Sequence, residues 1–383
     1  MLVDQRVRQP RESSAWRYEA AQRWRVLMQA EKEDAMVTIG LVGLGRIGAM
    51  HAQILAPLVD RLVVADTRAD KAEAFAAENP SVQVRTPDEL LSNADLDGLV
   101  ITTPTDTHAN VIERAAALNI PLFCEKPVST DLAATLRVAE IVRTQNVRLQ
   151  MGFQRHFDAG YTAARDRLDS GAIGELRRVH MGTLDQAPAP REFLAASGGI
   201  YTDCLIHDFD ALRWVSGQEV TEVYAIGTDL GLPDFADFGD VAETAVLLTM
   251  SNGAIATAQS SRFNGAGYDV RMELHGTLGT DTVGLDEHLP MHSVEPGISY
   301  PTGDPWGDFI LRFKPAYEAE IRAFLEVVAG TREISAGIED AVAARRISEA
   351  CSVSRREHRP VALTEIDDIA GTPASSKNHG NEA

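Results

Sequence analysis

The sequence predicts an α/β protein: a doubly wound parallel sheet in the first half and an α+β domain with a largely antiparallel, open-faced sheet in the second. In the first half, short apolar runs alternate with helical segments of about 10–15 residues, a pattern typical of βαβ units. In the second half, runs of two-residue alternation are separated by turn signals such as Ser251-Asn252-Gly253. Asn and Gly tolerate the backbone of tight hairpins, so these runs are predicted to pair as antiparallel strands.

The hydrophobic pattern places each element in order. Strands of the first half are predicted at 37–42, 62–65, 99–102, 121–124 and 148–152, and helices at 47–59, 70–78, 108–118 and 132–144. The second half is predicted to open with a helix at 161–169, to contain strands at 222–227, 242–250, 254–260, 269–275 and 280–284, and to end with helices at 315–328 and 337–354. The predicted domains are an N-terminal extension (1–35), a nucleotide domain (36–155), a second domain (156–365) and a small, polar, disordered tail (366–383).

Composition excludes several classes of partner. The chain has 383 residues with 36 Lys and Arg against 56 Asp and Glu, a formal net charge of -20. Such an acidic surface repels phosphate backbones and anionic lipid, so neither nucleic acid nor a membrane is expected as a partner. The three cysteines are widely spaced and odd in number, which favours neither a disulfide framework nor a zinc site. We therefore expect a cytoplasmic protein.

The glycine-rich turn after the first predicted strand carries a cofactor signal. Gly43, Gly45 and Gly48 form the pattern G-x-G-x-x-G, with Arg46 and Ile47 inside it. The pattern follows a strand, opens a helix and has an acidic residue at the end of the next strand, which are the three contexts of the Rossmann fingerprint. Because the N-terminus of that helix offers free N–H groups to a pyrophosphate, we predict a Rossmann domain with these five residues at a dinucleotide.

The acidic residue, Asp66, bears on which dinucleotide is bound. A carboxylate there accepts hydrogen bonds from ribose hydroxyls and repels a 2′-phosphate, so NAD is predicted. Arg68 could offset part of that repulsion, which leaves NADP open as a secondary cofactor. Thr103 and Pro104 directly follow the strand at 99–102, near the crevice where the cofactor is expected. His108 opens the following helix and fits a cofactor contact as well as a capping or packing role.

Lys126 is the first candidate for chemistry. Glu125 and Lys126 follow the predicted strand at 121–124. Ligands of open α/β sheets bind beyond the carboxyl ends of the strands, so both residues are predicted at the cofactor, with Lys126 directed toward the nicotinamide. An ammonium in that place can stabilise an alkoxide that develops from an alcohol.

Asp203 and His207 form the second candidate group. They are four residues apart in a segment with helical spacing, so they are predicted to share one face of a helix. A histidine oriented by a carboxylate suits general acid–base work near neutral pH. Two other interpretations remain: Asp203 could only cap the helix, or Asp203, His207 and Asp210 could bind a divalent metal. Hard-metal sites usually require further carboxylates, so no metal is predicted.

Five motifs in order resemble the Gfo/Idh/MocA oxidoreductase family and, within it, the myo-inositol 2-dehydrogenases, from about residue 36 to residue 363. The motifs are GLGRIG, CEKP, GFQRHFDAGY, GGIYTDCLIHDFDALRWV and GYDVRMELHGTLG. The resemblance implies that Lys126, Asp203 and His207 are a catalytic triad that also contacts substrate, and that the Lys126–Pro127 peptide is cis. It implies polyol contacts at Arg155 and Tyr268. It also implies that the open sheet of the second domain forms oligomer contacts, commonly in a homotetramer.

One segment departs from the family pattern. Near 180–186 inositol dehydrogenases tend to carry His and Asn substrate contacts, whereas this chain has Asp185, which we keep as a hydroxyl-binding candidate. The following segment, 182–199, is predicted as a substrate loop, in which Arg191 fits either the surface or the site.

The predicted function is NAD-dependent oxidation of a secondary ring hydroxyl of a cyclitol, with myo-inositol converted to 2-keto-myo-inositol (scyllo-inosose). One alternative is a scyllo-inositol or aldose/pyranoside dehydrogenase or reductase of the same family. The other is a dinucleotide-binding regulator without turnover, a class that usually lacks the catalytic residues present here. The expected partner is a small polyol or sugar.

Overall fold

The computed structural model describes residues 36–92 and 95–371, and within them the predicted fold class is confirmed. The first half forms a six-stranded parallel sheet in the order β3-β2-β1-β4-β5-β6. Its strands are β1 (Thr38–Val42), β2 (Arg61–Ala65), β3 (Val82–Val84), β4 (Gly98–Ile101), β5 (Leu122–Glu125) and β6 (Leu149–Gly152). The strand order reverses between β1 and β4, and ligands of such sheets bind in the crevice at this switch point.

Helices cover both faces of this sheet. They are α1 (Arg46–Leu55), α2 (Ala69–Glu78), α3 (Pro87–Leu91), α4 (Thr105–Ala116) and α5 (Leu132–Thr144). The sequence prediction missed α3 and β3, which are both short. A capping box at Thr86 and Glu89 starts α3, because the Thr86 hydroxyl accepts from the Glu89 N–H and the Glu89 carboxylate accepts from the Thr86 N–H.

The second half builds a seven-stranded sheet in the order β12-β11-β7-β10-β9-β8-β13. Its strands are β7 (Leu176–Leu184), β8 (Val220–Thr228), β9 (Glu243–Met250), β10 (Ile255–Ser261), β11 (Asp269–Gly276), β12 (Thr280–Val283) and β13 (Val361–Ala362). Every neighbouring pair is antiparallel except β7 and β10, which run parallel with Leu184 opposite Ser261. The sequence prediction missed β7, which is one of the two strands in that parallel pair.

The remaining helices join the two halves. They are α6 (Ala159–Asp169), α7 (Arg191–Ala196), α8 (Ile200–Asp203), α9 (Ile206–Ser216), α10 (Pro233–Ala236), α11 (Phe309–Ala329), α12 (Ile338–Glu357) and α13 (Leu363–Gly371). Helix α11 returns to the first sheet, where its Ile321, Phe324 and Leu325 pack in the same buried cluster as Leu41 and Phe123. Burial of this apolar face fixes the second domain against the nucleotide domain.

The structure bears on the predicted tail but not on the predicted N-terminal extension. Helix α13 extends into the predicted tail, and Ile366 is fully buried, so the expectation of disorder from residue 366 is wrong for residues 366–371. The apolar contact made by Ile366 holds this stretch in place. The polar residues around it did not indicate such a contact. The predicted extension 1–35 and residues 372–383 lie outside the described residues. In the described part of the chain, no helix is both long and apolar enough to cross a lipid bilayer.

Candidate active site

The glycine-rich turn is shaped by its own backbone. Gly43 has a φ of 97°, and a Cβ there would lie 2.6 Å from the Thr102 carbonyl oxygen. A Cβ at Gly48 would overlap the Gly43 carbonyl oxygen, whereas a Cβ at Gly45 would meet open space. Gly43 and Gly48 are therefore required by packing, and Gly45 leaves a free surface at the start of α1. That open cradle, with the N–H groups of a helix N-terminus beside it, fits a dinucleotide pyrophosphate.

Asp66 lies at the end of β2 as predicted, half-buried beside the same turn. Its Oδ2 accepts from the Leu44 N–H at 2.7 Å and its Oδ1 from the Arg68 N–H at 2.8 Å. The Arg68 guanidinium is turned to the exposed Asp70 instead, with Nη2 and Oδ2 2.7 Å apart. The carboxylate thus keeps lone pairs for a ribose, and the cation that could offset its charge is engaged elsewhere.

His108 contacts backbone carbonyl oxygens and is not left free to contact a ligand. It is buried, with Nδ1 2.8 Å from the Pro127 carbonyl oxygen and Nε2 2.8 Å from the Thr103 carbonyl oxygen. Burial lowers the pKa of His108, against the opposing effect of the two carbonyls. Because both ring nitrogens are engaged, the geometry favours a positioning role over the predicted cofactor contact. The turn after β4, with the exposed Pro104, is in this way joined to the turn after β5.

Lys126 directly follows β5, and its peptide bond to Pro127 is cis, as the resemblance implied. Its Nζ donates to the Asp203 carbonyl oxygen at 2.8 Å and to Asp203 Oδ1 at 3.3 Å. The preceding Glu125 is tied back, with Oε1 2.8 Å from His51 Nε2. The ammonium therefore lies beyond the carboxyl end of the sheet, while the acidic neighbour faces inward.

The prediction that Asp203 and His207 share one face of a continuous helix is wrong. Helix α8 ends at Asp203, and α9 begins at Ile206. The His207 N–H is directed to the Cys204 carbonyl at 3.4 Å, so the Asp203 carbonyl does not accept from it and is available to Lys126. The interruption of the helix thus creates one of the two contacts that position the ammonium.

Asp203 also does not orient His207, contrary to the prediction. The Asp203 carboxylate binds Lys126 through Oδ1 and Arg262 through Oδ2, the latter at 2.9 Å. Burial pushes the pKa of Asp203 upward, but the two cations outweigh it and hold that pKa below its ordinary value. Among the described residues Asp203 is therefore a partner of cations, not of the imidazole.

His207 is half-buried, and its Nδ1 is buried without a hydrogen-bond partner in the described structure. Burial, and then the charges of Lys126 and Arg155, lower its pKa well below the ordinary value of a histidine. A neutral imidazole next to an ammonium is suited to accept a proton from a hydroxyl that the ammonium polarises.

Arg262 was not found by sequence reasoning. It follows β10, is 1% exposed, and its Nη1 lies 2.9 Å from Asp203 Oδ2 and 3.3 Å from Asp185 Oδ2. Asp185 follows β7 and is partly exposed. The parallel pairing of β7 with β10 is what places Arg262 and Asp185 side by side. A lysine, two aspartates and an arginine, which we call the cleft network (Lys126, Asp203, Arg262 and Asp185), thus meet at one opening.

Arg155 is engaged in a separate set of buried contacts, and its predicted contact with substrate stays a prediction. It is 1% exposed, with Nη1 donating to Asp208 Oδ1 at 2.8 Å and Nη2 to the Thr183 hydroxyl at 2.7 Å. The Thr183 hydroxyl donates in turn to Asp208 Oδ2 at 2.7 Å. We call Arg155, Asp208 and Thr183 the buried network; it ties β7 to α9. The G-F-x-R motif pointed to a side chain that packs beneath the site.

The other predicted side chains lie in separate places. Tyr268 is 5% exposed, and burial raises its pKa well above the ordinary value. Arg191 pairs with Asp234 and Asp237 on the surface. Asp210, weighed for a metal, lies 2.9 Å from His156 Nε2. In the described part of the chain no group of His, Cys, Asp and Glu is arranged to hold a metal ion.

Comparison with known proteins identifies the family. A family model described as an oxidoreductase family with an NAD-binding Rossmann fold matches residues 37–153. The model of the GFO/IDH/MocA C-terminal domain matches residues 161–281. The chain belongs to the GFO/IDH/MocA oxidoreductase family. This confirms the predicted family, the Rossmann domain and NAD as the cofactor.

Individual members of the GFO/IDH/MocA family match along most of their length. An inositol 2-dehydrogenase of Rhizobium meliloti is 36% identical over 85% of this chain and 99% of its own. A scyllo-inositol 2-dehydrogenase (NAD(+)) of Bacillus subtilis is 34% identical over 86% and 97%. A solved scyllo-inositol dehydrogenase from Lactobacillus casei, with NAD(H) and scyllo-inositol bound, superposes with a TM-score of 0.76 at 25% identity, over 86% of this chain and all of that one.

Proposed function

We propose that the protein is an NAD-dependent dehydrogenase that oxidises a secondary ring hydroxyl of a cyclitol, with myo-inositol converted to 2-keto-myo-inositol (scyllo-inosose). The observation that carries the proposal is that Lys126, directly after β5, is bound to Asp203 and acts electrostatically on His207, whose buried Nδ1 has no partner in the described structure. Lys126 lies 77 residues before Asp203 in the chain, so the fold and not the local sequence brings the ammonium to this pair. The relatives named as inositol dehydrogenases support the substrate class.

The residues divide the chemistry among themselves. His207 accepts the proton of the substrate hydroxyl, which its lowered pKa permits because the ring is neutral near pH 7. Lys126 donates to the oxygen that becomes negative as the proton leaves. Asp203 holds the Lys126 ammonium in place through its carboxylate and its carbonyl. NAD, when bound, would accept the hydride that leaves the carbinol carbon.

The cofactor end has its own assignment. The turn from Gly43 to Gly48 would hold the pyrophosphate, with Arg46 and Ile47 at its edge, and Asp66 would accept from the ribose hydroxyls. The exposed Arg46 lies over the Phe309 ring at 4.7 Å, which places a cation beside this turn. NADP use is expected to be weak, since Arg68 is paired with Asp70.

The substrate side rests on Asp185, a member of the cleft network, and on Tyr268, which lies close enough for the charge of Asp185 to act on it. Burial raises the pKa of Asp185, against the effect of Arg262. We place Asp185 and Tyr268 against ring hydroxyls remote from the reacting carbon. The second candidate substrate is scyllo-inositol, because a relative named scyllo-inositol 2-dehydrogenase is 34% identical.

A tetramer is proposed on the outer face of the second sheet. Ile226, Leu247 and Ile255 are each more than half exposed there. Apolar side chains in such a row favour burial against another copy of the chain. The cytoplasmic location stays a prediction, drawn from the cysteine content.

A substrate panel tests the proposal. Purified full-length protein is given myo-inositol, scyllo-inositol, other inositol isomers and aldoses, each with NAD and with NADP, and the reduced nicotinamide is followed by absorbance. We expect reduction with a cyclitol and NAD. Binding of NAD without reduction by any polyol would refute the proposal and support the regulator without turnover.

A further inference from the structure

Arg262 has no assigned role in the chemistry above, yet it lies in the middle of the cleft network. It is the residue directly after β10, and Asp185 is the residue directly after β7. These strands form the parallel pair of the second sheet, with Ser261 opposite Leu184. The carboxyl ends of parallel strands share one edge of a sheet, so this register alone brings an arginine and an aspartate together at the opening.

The contacts show that one nitrogen serves two carboxylates. Arg262 Nη1 donates to Asp203 Oδ2 at 2.9 Å and to Asp185 Oδ2 at 3.3 Å. Without a cation between them these two carboxylates would repel each other. Asp203 Oδ1 is bound by Lys126 at 3.3 Å, so charges of alternating sign run from Lys126 through Asp203 and Arg262 to Asp185.

Burial differs along this row. The Arg262 side chain is almost fully buried, whereas that of Asp185 is 25% exposed. Asp185 Oδ2 is engaged by Arg262 and by the Cys204 thiol, whose Sγ lies 3.5 Å away. Among the described residues Asp185 Oδ1 has no donor, so it is the oxygen left for a ligand. The arginine is therefore held in place by burial, and the aspartate is the member of the pair that a substrate can reach.

We propose that Arg262 is a positioning residue that determines substrate selectivity, because a single guanidinium fixes both the carboxylate that holds Lys126 and the carboxylate that faces the substrate. The proposal rests on the proposed function and deepens it. The two cations and two carboxylates of the cleft network balance, so the site suits a neutral polyhydroxylated ring. A hydroxyl donor pairs with Asp185 Oδ1, and a carboxylated sugar is repelled there.

The electrostatics make the role measurable. The charged and titratable groups that face Asp203 are Lys126, Arg262, Asp185 and Cys204. The pKa of Asp203 is held below its ordinary value by Lys126 and Arg262 against the effect of burial. Loss of Arg262 therefore raises that pKa. Because an ionised Asp203 is needed to hold Lys126, activity then falls at a higher pH as the solution is acidified.

The test compares R262Q with R262K. In R262Q the acid limb of kcat/KM against pH is expected to move up by about one unit, as expected when an opposite charge at contact distance is removed. In R262K the charge remains but the fork that reaches two carboxylates is lost. Its acid limb is expected to stay near that of wild type, while the ratio of kcat/KM for myo-inositol to that for scyllo-inositol changes about tenfold.

Two further variants sharpen the result. R167Q removes an exposed arginine that pairs with Asp281 far from the opening, and it should leave both the limb and the isomer ratio unchanged. D185N should change the isomer ratio as R262K does, and the double variant should add little to either, because both act on one contact. Thermal unfolding of every variant separates folding from catalysis.

The outcomes are distinct. An R262Q enzyme that loses only kcat or stability, with the wild-type limb and isomer ratio, overturns the proposal and leaves Arg262 a structural residue. So does an R262K/D185N double variant whose selectivity losses simply add. Wild-type protein that oxidises no cyclitol refutes the proposed function instead, before any variant is compared.

Discussion

Two arginine–aspartate networks lie within the same domain and differ in what surrounds them. In the buried network, Arg155 and Asp208 are almost fully buried, and both Asp208 oxygens are bound by side chains. In the cleft network, the side chains of Lys126 and Asp203 are 17% and 16% exposed. Residue type alone therefore does not separate a structural network from a candidate functional one, because both networks pair arginine with aspartate. What separates them is that a carboxylate of the cleft network is bound by cations on one side and is open on the other.

The largest effect is expected from His207→Ala, which removes the proposed general base beside the cleft network. A positioned acid–base group typically contributes about 10²–10⁴ in rate, so kcat should fall by that factor while NAD still binds. Steady-state kinetics with a cyclitol and a fluorescence titration with NAD measure the two separately. Turnover close to wild type would remove His207 from the mechanism.

Disruption of the buried network should lower the stability of the protein and leave its KM unchanged. Arg155→Met leaves Asp208 charged and buried without its partner, and breaking such a pair typically costs about 3–5 kcal/mol of stability. The midpoint of denaturant unfolding should fall accordingly, and KM of the protein that remains folded should be close to wild type. An unchanged midpoint together with a raised KM would return Arg155 to the substrate site, where the sequence had placed it.

Most of the nucleotide domain could be predicted because its signals are local. Five of the six strands of that sheet follow from short apolar runs, β3 being the exception, and Gly43, Gly48 and Asp66 stand at spacings that backbone geometry requires. Lys126 could be placed because ligand sites follow strand ends in any open α/β sheet. Asp203 and His207 were predicted from their four-residue spacing, and the resemblance to the family implied the same pair.

The rest depended on contacts that no local pattern records. Strand β7 has two exposed arginines in succession, so it lacks strict alternation, and its neighbours β10 and β11 come much later in the chain. Arg262 meets Asp185 across 77 residues through a parallel pairing that the hairpin signals did not suggest. The helix break after Asp203 has neither Gly nor Pro to mark it, and it arises where the carbonyl is taken by Lys126.

The same distinction can be tested at the cofactor end, where Asp66 is another half-buried carboxylate at a strand end. Asp66→Ala removes charge-assisted hydrogen bonds to the ribose, each worth roughly 1.5–3 kcal/mol. The preference for NAD over NADP in kcat/KM should fall by about 10–100-fold. Asp88→Ala is the matched control, because this exposed carboxylate of the same domain pairs with Arg114 and contacts neither the glycine-rich turn nor Arg68. An unchanged preference in Asp66→Ala would mean that other residues select the cofactor.

The smallest effect links the two networks, because a cation from each of them acts on His207. After burial, Lys126 of the cleft network and Arg155 of the buried network both lower its pKa. Activity requires a neutral His207 and an ionised Asp203, so the acid limb of kcat/KM in wild type reports whichever of the two has the higher pKa and should lie below the ordinary histidine pKa of about 6.5. Conservative Arg155→Lys keeps the charge, whereas Arg155→Met removes it and should raise the limb by a fraction of a unit. If both variants titrate as wild type does, the buried network has no electrostatic reach into the chemistry, and the two networks are independent.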